Sequence, residues 1–169
     1  MSNHPHFSAV EQILIRDAQG EYQPASADQI LDAARRVMEQ LVQRGTQMSS
    51  PTAVRDYLTV KLAAYEHEMF AVLFLDNQHR LIEYVEMFRG SIDSASVHPR
   101  EVVKEALARN AAAVILSHNH PSGWVEPSEA DKHITNRLRD ALSLVDIRVL
   151  DHLVVAGAKT VSFAERGLL

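Results

Sequence analysis

The stretch LSHNHPSGWVEPSEADKH, residues 116–133, runs from the end of an apolar segment through a turn into a helical pattern. Its two histidines, His118 and His120, stand one residue apart where the apolar run ends, and a Pro-Ser-Gly turn follows at once. Side chains at positions i and i+2 of a strand point to the same face, so the two imidazoles can converge on one ion. The end of a buried strand is also the usual place for a site in an open α/β sheet. The stretch therefore predicts a buried strand of such a sheet and the position of its site.

Along the chain, two continuous apolar runs, residues 69–76 and 111–118, predict strands that are buried on both faces, and apolar residues at a period of 3.6 predict helices. Residues 80–90 predict the hairpin partner of the first of these strands, residues 147–157 predict a further strand, and residues 159–169 predict an edge strand and a tail. The predicted helices are residues 28–45, 49–66, 99–109 and 128–145. Strands that alternate with helices, together with hairpins, indicate an α/β fold in which a mixed β-sheet is flanked by helices.

The N-terminal part of the chain has a different composition from the rest. Residues 9–23 predict a short strand and a turn that bends at Gly20, and a helix follows after Ser26. A second helix has Ser50 as its predicted N-cap and Pro51 at its first position. The shift in composition near residue 48 predicts a short helical N-terminal extension, residues 1–48, followed by an α/β domain, residues 49–169.

Composition narrows the classes of protein to which the chain can belong. The 169 residues are 46% hydrophobic and 23% charged, which is typical of a globular protein. No apolar run approaches the ~20 residues that span a bilayer, and the N-terminus lacks the layout of a signal peptide, so we expect a cytoplasmic protein without a membrane partner. The absence of cysteine excludes disulfides, thiolate metal sites and a thiol nucleophile. A net charge of −5 without a basic cluster argues against nucleic acid as a partner.

The histidine pair becomes informative only in its context. Nine histidines in 169 residues produce about 0.5 such pairs by chance. Requiring Ser128 and Asp131 at their positions lowers that expectation to the order of 0.002. Two histidines, one aspartate and no cysteine form a three-ligand set, which in zinc enzymes keeps the fourth position open for water. Such water needs a nearby base, and Glu66 and Glu68 precede the other buried strand.

Simpler interpretations stay open from the residues alone. The histidines can be polar residues at the end of a strand. Ser128 and Asp131 have the spacing of a capping box, which would satisfy the first amides of a helix and does not exclude metal binding. Glu66 and Glu68 can be solvated residues at the start of a strand.

The same residues resemble a known signature. Glu68 before an apolar strand, HNH at 118–120, Ser128 and Asp131 resemble the JAMM motif of JAB/MPN metalloproteases. More narrowly, FRGSIDSASVHPREVVKEAL (88–107), NAAAVILSHNHPSG (110–123) and SFAERGLL (162–169) resemble the RadC family. The resemblance extends over roughly residues 50–169. It implies the cytidine-deaminase-like, three-layer α/β/α arrangement of a JAB/MPN domain with one zinc ion per chain.

The resemblance also implies roles for individual residues. His118, His120 and Asp131 would bind zinc, Glu68 rather than Glu66 would be the general acid/base, and Ser128 would stabilise the oxyanion. The implied activity is that of a zinc metallopeptidase or isopeptidase, with a peptide or protein as substrate, such as the C-terminal tail of a small modifier. The alternative, suggested by the family name, is a non-peptidase module associated with DNA repair or mobile elements.

The chain departs from the family pattern at several positions. Residues 1–48 are too short to match the helix-hairpin-helix-like region of longer RadC relatives. Asn119 occupies a position where deubiquitinating relatives have a small hydroxyl residue. Trp124 either packs locally over its loop or forms an aromatic edge of a substrate groove. His152 is interpreted as a strand residue rather than as a partner of the metal ligands, and the oligomeric state is left open.

Overall fold

The structure, a computed structural model, describes residues 13–90 and 97–169. Its elements, in chain order, are β1 (Leu14–Arg16), β2 (Tyr22–Pro24), α1 (Ala27–Leu41), α2 (Pro51–Leu62), β3 (Met69–Leu75), β4 (Leu81–Arg89), α3 (Pro99–Ala108), β5 (Ala113–Asn119), α4 (Glu129–Ser143), β6 (Arg148–Ala156) and β7 (Lys159–Ser162). No helix among these residues is long and apolar enough to cross a membrane.

Strands β3 to β7 form one mixed sheet in the order β4-β3-β5-β6-β7. The β5–β6 pair is parallel and the other pairs are antiparallel. The two runs predicted to be buried on both faces, β3 and β5, are neighbours near the centre of the sheet. The predicted fold class, a mixed sheet flanked by helices, is confirmed.

Alternation along β3 and β5 divides the core into two layers. Ala71, Leu73 and Ile115 face α2 on one side of the sheet. On the other side, residues such as Val72 and Leu116 pack with residues of α3 and α4. His118 follows Leu116 by two residues and so lies on the α4 face, whereas Asn119 points to the α2 face. This alternation fixes which helix the histidines meet.

The predicted N-cap of α2 is present, since Ser50 accepts a backbone hydrogen bond at the start of the helix and Pro51 occupies its first turn. Ser26, which the sequence placed only before a helix, caps α1 in the same way. The segment predicted as one strand and a turn is a hairpin of β1 and β2, with Gly20 at a φ of 93°. The part of this prediction on residues 9–12 lies outside the described residues.

The N-terminal elements contact the core through a few side chains. Met38 and Val42 are partly buried against the α2 layer, and Met48, at the predicted boundary, is itself a core residue with 5% exposure. The division into an extension and a domain at residue 48 stays a prediction.

Candidate metal centre

The two histidines converge at the end of β5. His118 pairs in register with Phe70 of β3 and is 1% exposed. His120 lies just beyond the strand, and its amide continues the ladder by donating to the Val155 carbonyl at 2.8 Å. The Nε2 atoms of His118 and His120 are 2.9 Å apart. The sequence prediction that the pair points to one face of a strand is therefore confirmed.

Asp131 approaches the same point from the first turn of α4. Its Oδ1 lies 3.3 Å from Nε2 of His118, and its Oδ2 lies 3.5 Å from Nε2 of His120. The capping box is also present, since the Asp131 amide donates to Oγ of Ser128 at 3.1 Å. In return, the amide and the hydroxyl of Ser128 both donate to Oδ2 of Asp131 at 2.7 Å. Asp131 is therefore part of the helix cap and also lies next to the two histidines. The cap holds its carboxylate in place.

This cluster favours positive charge. Nδ1 of His120 lies 2.6 Å from the Trp124 carbonyl, which only accepts hydrogen bonds, so Nδ1 carries a proton and Nε2 of the neutral ring has a free lone pair. The hydrogen bond to Asp131 raises the pKa of His120. Burial alone would raise the pKa of Asp131, but the hydrogen bonds with His118 and His120 hold it well below its usual value. The Nε2 atoms of His118 and His120 and the carboxylate of Asp131 face one another, so a shared proton or a bound cation would stabilise them.

The spacing of these atoms fits a metal ion. One ligand atom from each of His118, His120 and Asp131 lies within 4.8 Å of the others. Zinc–nitrogen and zinc–oxygen bonds of about 2.0–2.2 Å in a tetrahedron place neighbouring ligand atoms roughly 3.3 Å apart. The two Nε2 atoms are 2.9 Å apart, and each carboxylate oxygen lies close to that value from one histidine, with Oδ1 3.3 Å from His118 and Oδ2 3.5 Å from His120. His133, which follows Asp131 by two residues, is exposed and outside the cluster.

Glu68 and Glu66 line the same cavity of about 720 Å³ as the cluster. Glu68 directly precedes β3 and is half-buried, whereas Glu66 is exposed. Burial raises the pKa of Glu68, and the nearby His118 partly offsets that effect. A carboxyl group with a raised pKa is suited to exchange protons near neutral pH. Burial therefore favours Glu68 over Glu66, in line with the resemblance.

Asn119 is a functional candidate that sequence reasoning did not assign. It is 2% exposed, and its Oδ1 accepts from the Met69 amide at 2.7 Å. Its Nδ2 donates to the carbonyls of Tyr65 and His67 at 3.2 and 3.0 Å. The residue between the two histidines thus fixes the segment that carries Glu68. Strand alternation alone could have indicated that Asn119 faces away from the histidines.

Asn119→Ala should therefore loosen the Glu68 segment. Three backbone groups lose their partners at a largely buried position, so the free energy of unfolding should fall by about 2–3 kcal/mol. Amide exchange at residue 69 should accelerate. Denaturant unfolding and hydrogen exchange measure the two effects, and Asn77→Ala, at an exposed turn, is the matched control. Equal effects of the two substitutions would contradict the role of Asn119.

The structure also shows the surroundings of Trp124 and His152. The Trp124 side chain lines the cavity and is 70% exposed, so it does not pack over its loop. His152 lies in β6 as expected, but it is also fully buried, and its Nε2 is 2.8 Å from Nδ1 of His118. The interpretation of His152 as a strand residue without a link to the ligands is wrong. Its partner is 34 residues away, and local patterns do not indicate such a contact.

Comparisons with known proteins agree with this geometry. The family model of the RadC-like JAB domain matches residues 48–168. A UPF0758 protein of Vibrio cholerae is 63% identical over 147 residues, which are 87% of this chain and 92% of that protein. UPF0758 proteins of Nitrosococcus oceani and Marinobacter nauticus are 59% and 55% identical over 82% and 86% of this chain. The chain spans only 62% and 65% of the lengths of those two relatives. The names of these relatives state no activity.

Proposed function

We propose, from the premise that this chain belongs to the family of RadC-like JAB domains, that it is a zinc-dependent hydrolase of peptide or isopeptide bonds. One observation carries the proposal. Two imidazole Nε2 atoms and a carboxylate converge within 4.8 Å at the end of a buried strand, without a cysteine in the chain. Three nitrogen and oxygen ligands of this kind are typical of catalytic zinc sites rather than structural ones.

His118, His120 and Asp131 would hold one zinc ion per chain. When bound, zinc lowers the pKa of a water molecule and polarises a carbonyl oxygen. The protein contributes a rigid frame, because His118 is fixed in the sheet and Asp131 is fixed by the Ser128 cap. These contacts lie between β3 and β5 and within the first turn of α4, and they do not involve a substrate.

Glu68 would act as the proton carrier. It accepts a proton from the attacking water and passes it to the nitrogen of the leaving amine, as a general base and then a general acid. Its half-buried position and raised pKa suit both steps. Asn119 would assist indirectly, because it fixes the backbone on both sides of Glu68.

Ser128 would stabilise the oxyanion of the tetrahedral intermediate. Its single hydroxyl proton is donated to Oδ2 of Asp131 in the structure. The Ser128 amide donates to the same oxygen, so Oδ2 keeps a partner if the hydroxyl turns towards a substrate carbonyl. The role therefore requires a rotation of the hydroxyl and no movement of the helix.

The proposed substrate is an extended peptide, such as the C-terminal tail of a small modifier. Strand β4 forms one edge of the sheet in the described part of the chain, and its end, Phe88–Arg89, pairs with β3 directly after Glu68. An extended peptide can add to such an edge through backbone hydrogen bonds. The exposed indole of Trp124 on the cavity wall offers an apolar contact for one side chain.

A peptide library incubated with and without a chelator tests this function. We expect chelator-sensitive cleavage and no salt-sensitive binding of single- or double-stranded DNA. Binding through six to ten phosphate contacts would weaken by about 10³–10⁵ between 50 and 200 mM salt, so titration at these two concentrations detects it. Tight salt-dependent DNA binding, with no chelator-sensitive cleavage in the library, would favour the alternative repair module.

A further inference from the structure

His152 is a fully buried histidine to which the proposed reaction gives no role. Its ring stacks on Phe163, with centroids 4.7 Å apart at 23°. Both ring nitrogens have partners, since Nε2 lies 2.8 Å from Nδ1 of His118 and Nδ1 lies 2.6 Å from Oγ1 of Thr135. Thr135 is itself 1% exposed on α4. Packing alone does not require two polar contacts at such short distances.

The direction of these hydrogen bonds follows from one carbonyl group. Oγ1 of Thr135 lies 2.5 Å from the backbone oxygen of Asp131, which carries no proton, so the threonine hydroxyl must donate to it. The hydroxyl has only one proton, and therefore Nδ1 of His152 must donate to Oγ1. The His152 ring is fully buried, and neither of its nitrogen partners is a carboxylate that could balance a charge, so the ring holds only the proton on Nδ1 and its Nε2 accepts. Nδ1 of His118 is then the donor to His152.

We propose that Thr135 and His152 are positioning residues that hold His118 in the tautomer whose Nε2 lone pair faces the metal site. The inference rests on the proposed metal site. The chain of hydrogen bonds begins at one ligand, His118, and ends at the backbone carbonyl of another, Asp131. It therefore couples the orientation of the ring in β5 to the first turn of α4.

His120 also needs an acceptor for the proton on its Nδ1, but a different group supplies it. Its Nδ1 donates to the Trp124 carbonyl, an acceptor that never holds a proton. His118 lies deeper in the sheet, and its acceptor is a histidine that can exist as either of two tautomers. His152 therefore needs Thr135 to fix its tautomer. Metal-binding histidines generally depend on such a partner at the second ring nitrogen, and its loss costs roughly 10–100-fold in metal affinity.

The test compares Thr135→Val with Thr135→Ser in the full chain. Valine keeps the shape of threonine without the hydroxyl, and serine keeps the hydroxyl. We expect Thr135→Val to weaken Zn²⁺ binding roughly 10–100-fold in competition with a chromophoric chelator, and Thr135→Ser to bind nearly as the unsubstituted protein does. His152→Phe, which keeps the stacking on Phe163, should weaken binding to a similar extent.

Nitrogen-15 NMR of the imidazole rings provides a readout that a packing role would not change. Without substitution and without added metal, His118 and His152 should both carry the proton on Nδ1, and Thr135→Val should move the His152 proton to Nε2. This measurement on the unsubstituted protein needs no variant to fold. A proton on Nε2 of His118, or equal Zn²⁺ affinity in the valine and serine variants, would overturn the inference. If the unsubstituted protein binds no Zn²⁺ while both rings are protonated on Nδ1, the ring orientation is supported and the metal site is overturned.

Discussion

His120→Ala is expected to abolish zinc binding without unfolding the chain. Purified protein should contain about one ion per chain, as three-ligand sites do, and the variant should contain none after dialysis. His120 is one of the three proposed ligands, and the alanine side chain has no atom that can replace Nε2. Metal analysis by mass spectrometry measures the loss.

The variant should stay folded because the hydrophobic core does not depend on the metal. The two apolar layers lie on either side of the sheet and consist of buried aliphatic and aromatic side chains. The far-ultraviolet circular dichroism of the variant should match that of the unsubstituted protein. Added zinc at 100 times its Kd should stabilise the unsubstituted protein by about 2.7 kcal/mol and leave the variant unchanged.

His133→Ala is the matched control for this experiment. His133 lies two residues after Asp131 but is exposed and outside the cluster. Its removal should leave the zinc content and the thermal shift as they are. Full zinc retention in His120→Ala would refute the ligand assignment, and equal loss in both variants would point to non-specific binding by histidines.

Local patterns predicted most of the fold because its decisive signals are short in range. The apolar runs of β3 and β5 are continuous because both faces of these strands are buried, one by α2 and the other by α3 and α4. The start of α4 is marked by Ser128 and Asp131, three residues apart. Such signals involve neighbours along the chain, and a reader of the sequence can recognise them without knowing the tertiary structure.

The parts of the site that the sequence did not predict depend on partners that are far away along the chain. Asn119 meets the carbonyls of Tyr65 and His67 across more than 50 residues, and His152 meets His118 across 34. No periodicity encodes such pairs. The candidate metal cluster could be predicted because His118 and His120 stand two positions apart at the end of one strand, and because the resemblance to the JAMM motif implied that Asp131 joins them.

The choice between Glu66 and Glu68 illustrates the same limit. Both precede β3, and the sequence alone treats them as equivalent carboxylates. In the structure both line the cavity, but Glu66 is exposed, whereas Glu68 is half-buried and burial raises its pKa. Asn119 also fixes the backbone on either side of Glu68. Position relative to the cluster, and not residue type, distinguishes them.

Glu68→Gln should accordingly keep the metal and lose the activity. Glutamine has nearly the same shape but cannot accept and return a proton, and the loss of a general acid/base typically lowers kcat by 10²–10⁴-fold. Glu68 is not a member of the ligand cluster, so zinc content should stay at about one ion per chain. The measurements are kcat for the best peptide found in the library and metal analysis of the same preparation.

Glu66→Gln provides the matched control, because the two residues share a cavity and differ in burial. It removes the same negative charge from the cavity wall, so any general electrostatic effect on substrate binding should appear in both variants, chiefly in KM. Only Glu68→Gln should lose kcat. If Glu66→Gln is inactive and Glu68→Gln retains turnover, Glu66 is the base and the carboxylate has been wrongly assigned. If both variants retain turnover, the proton must be carried by a different group in the cavity.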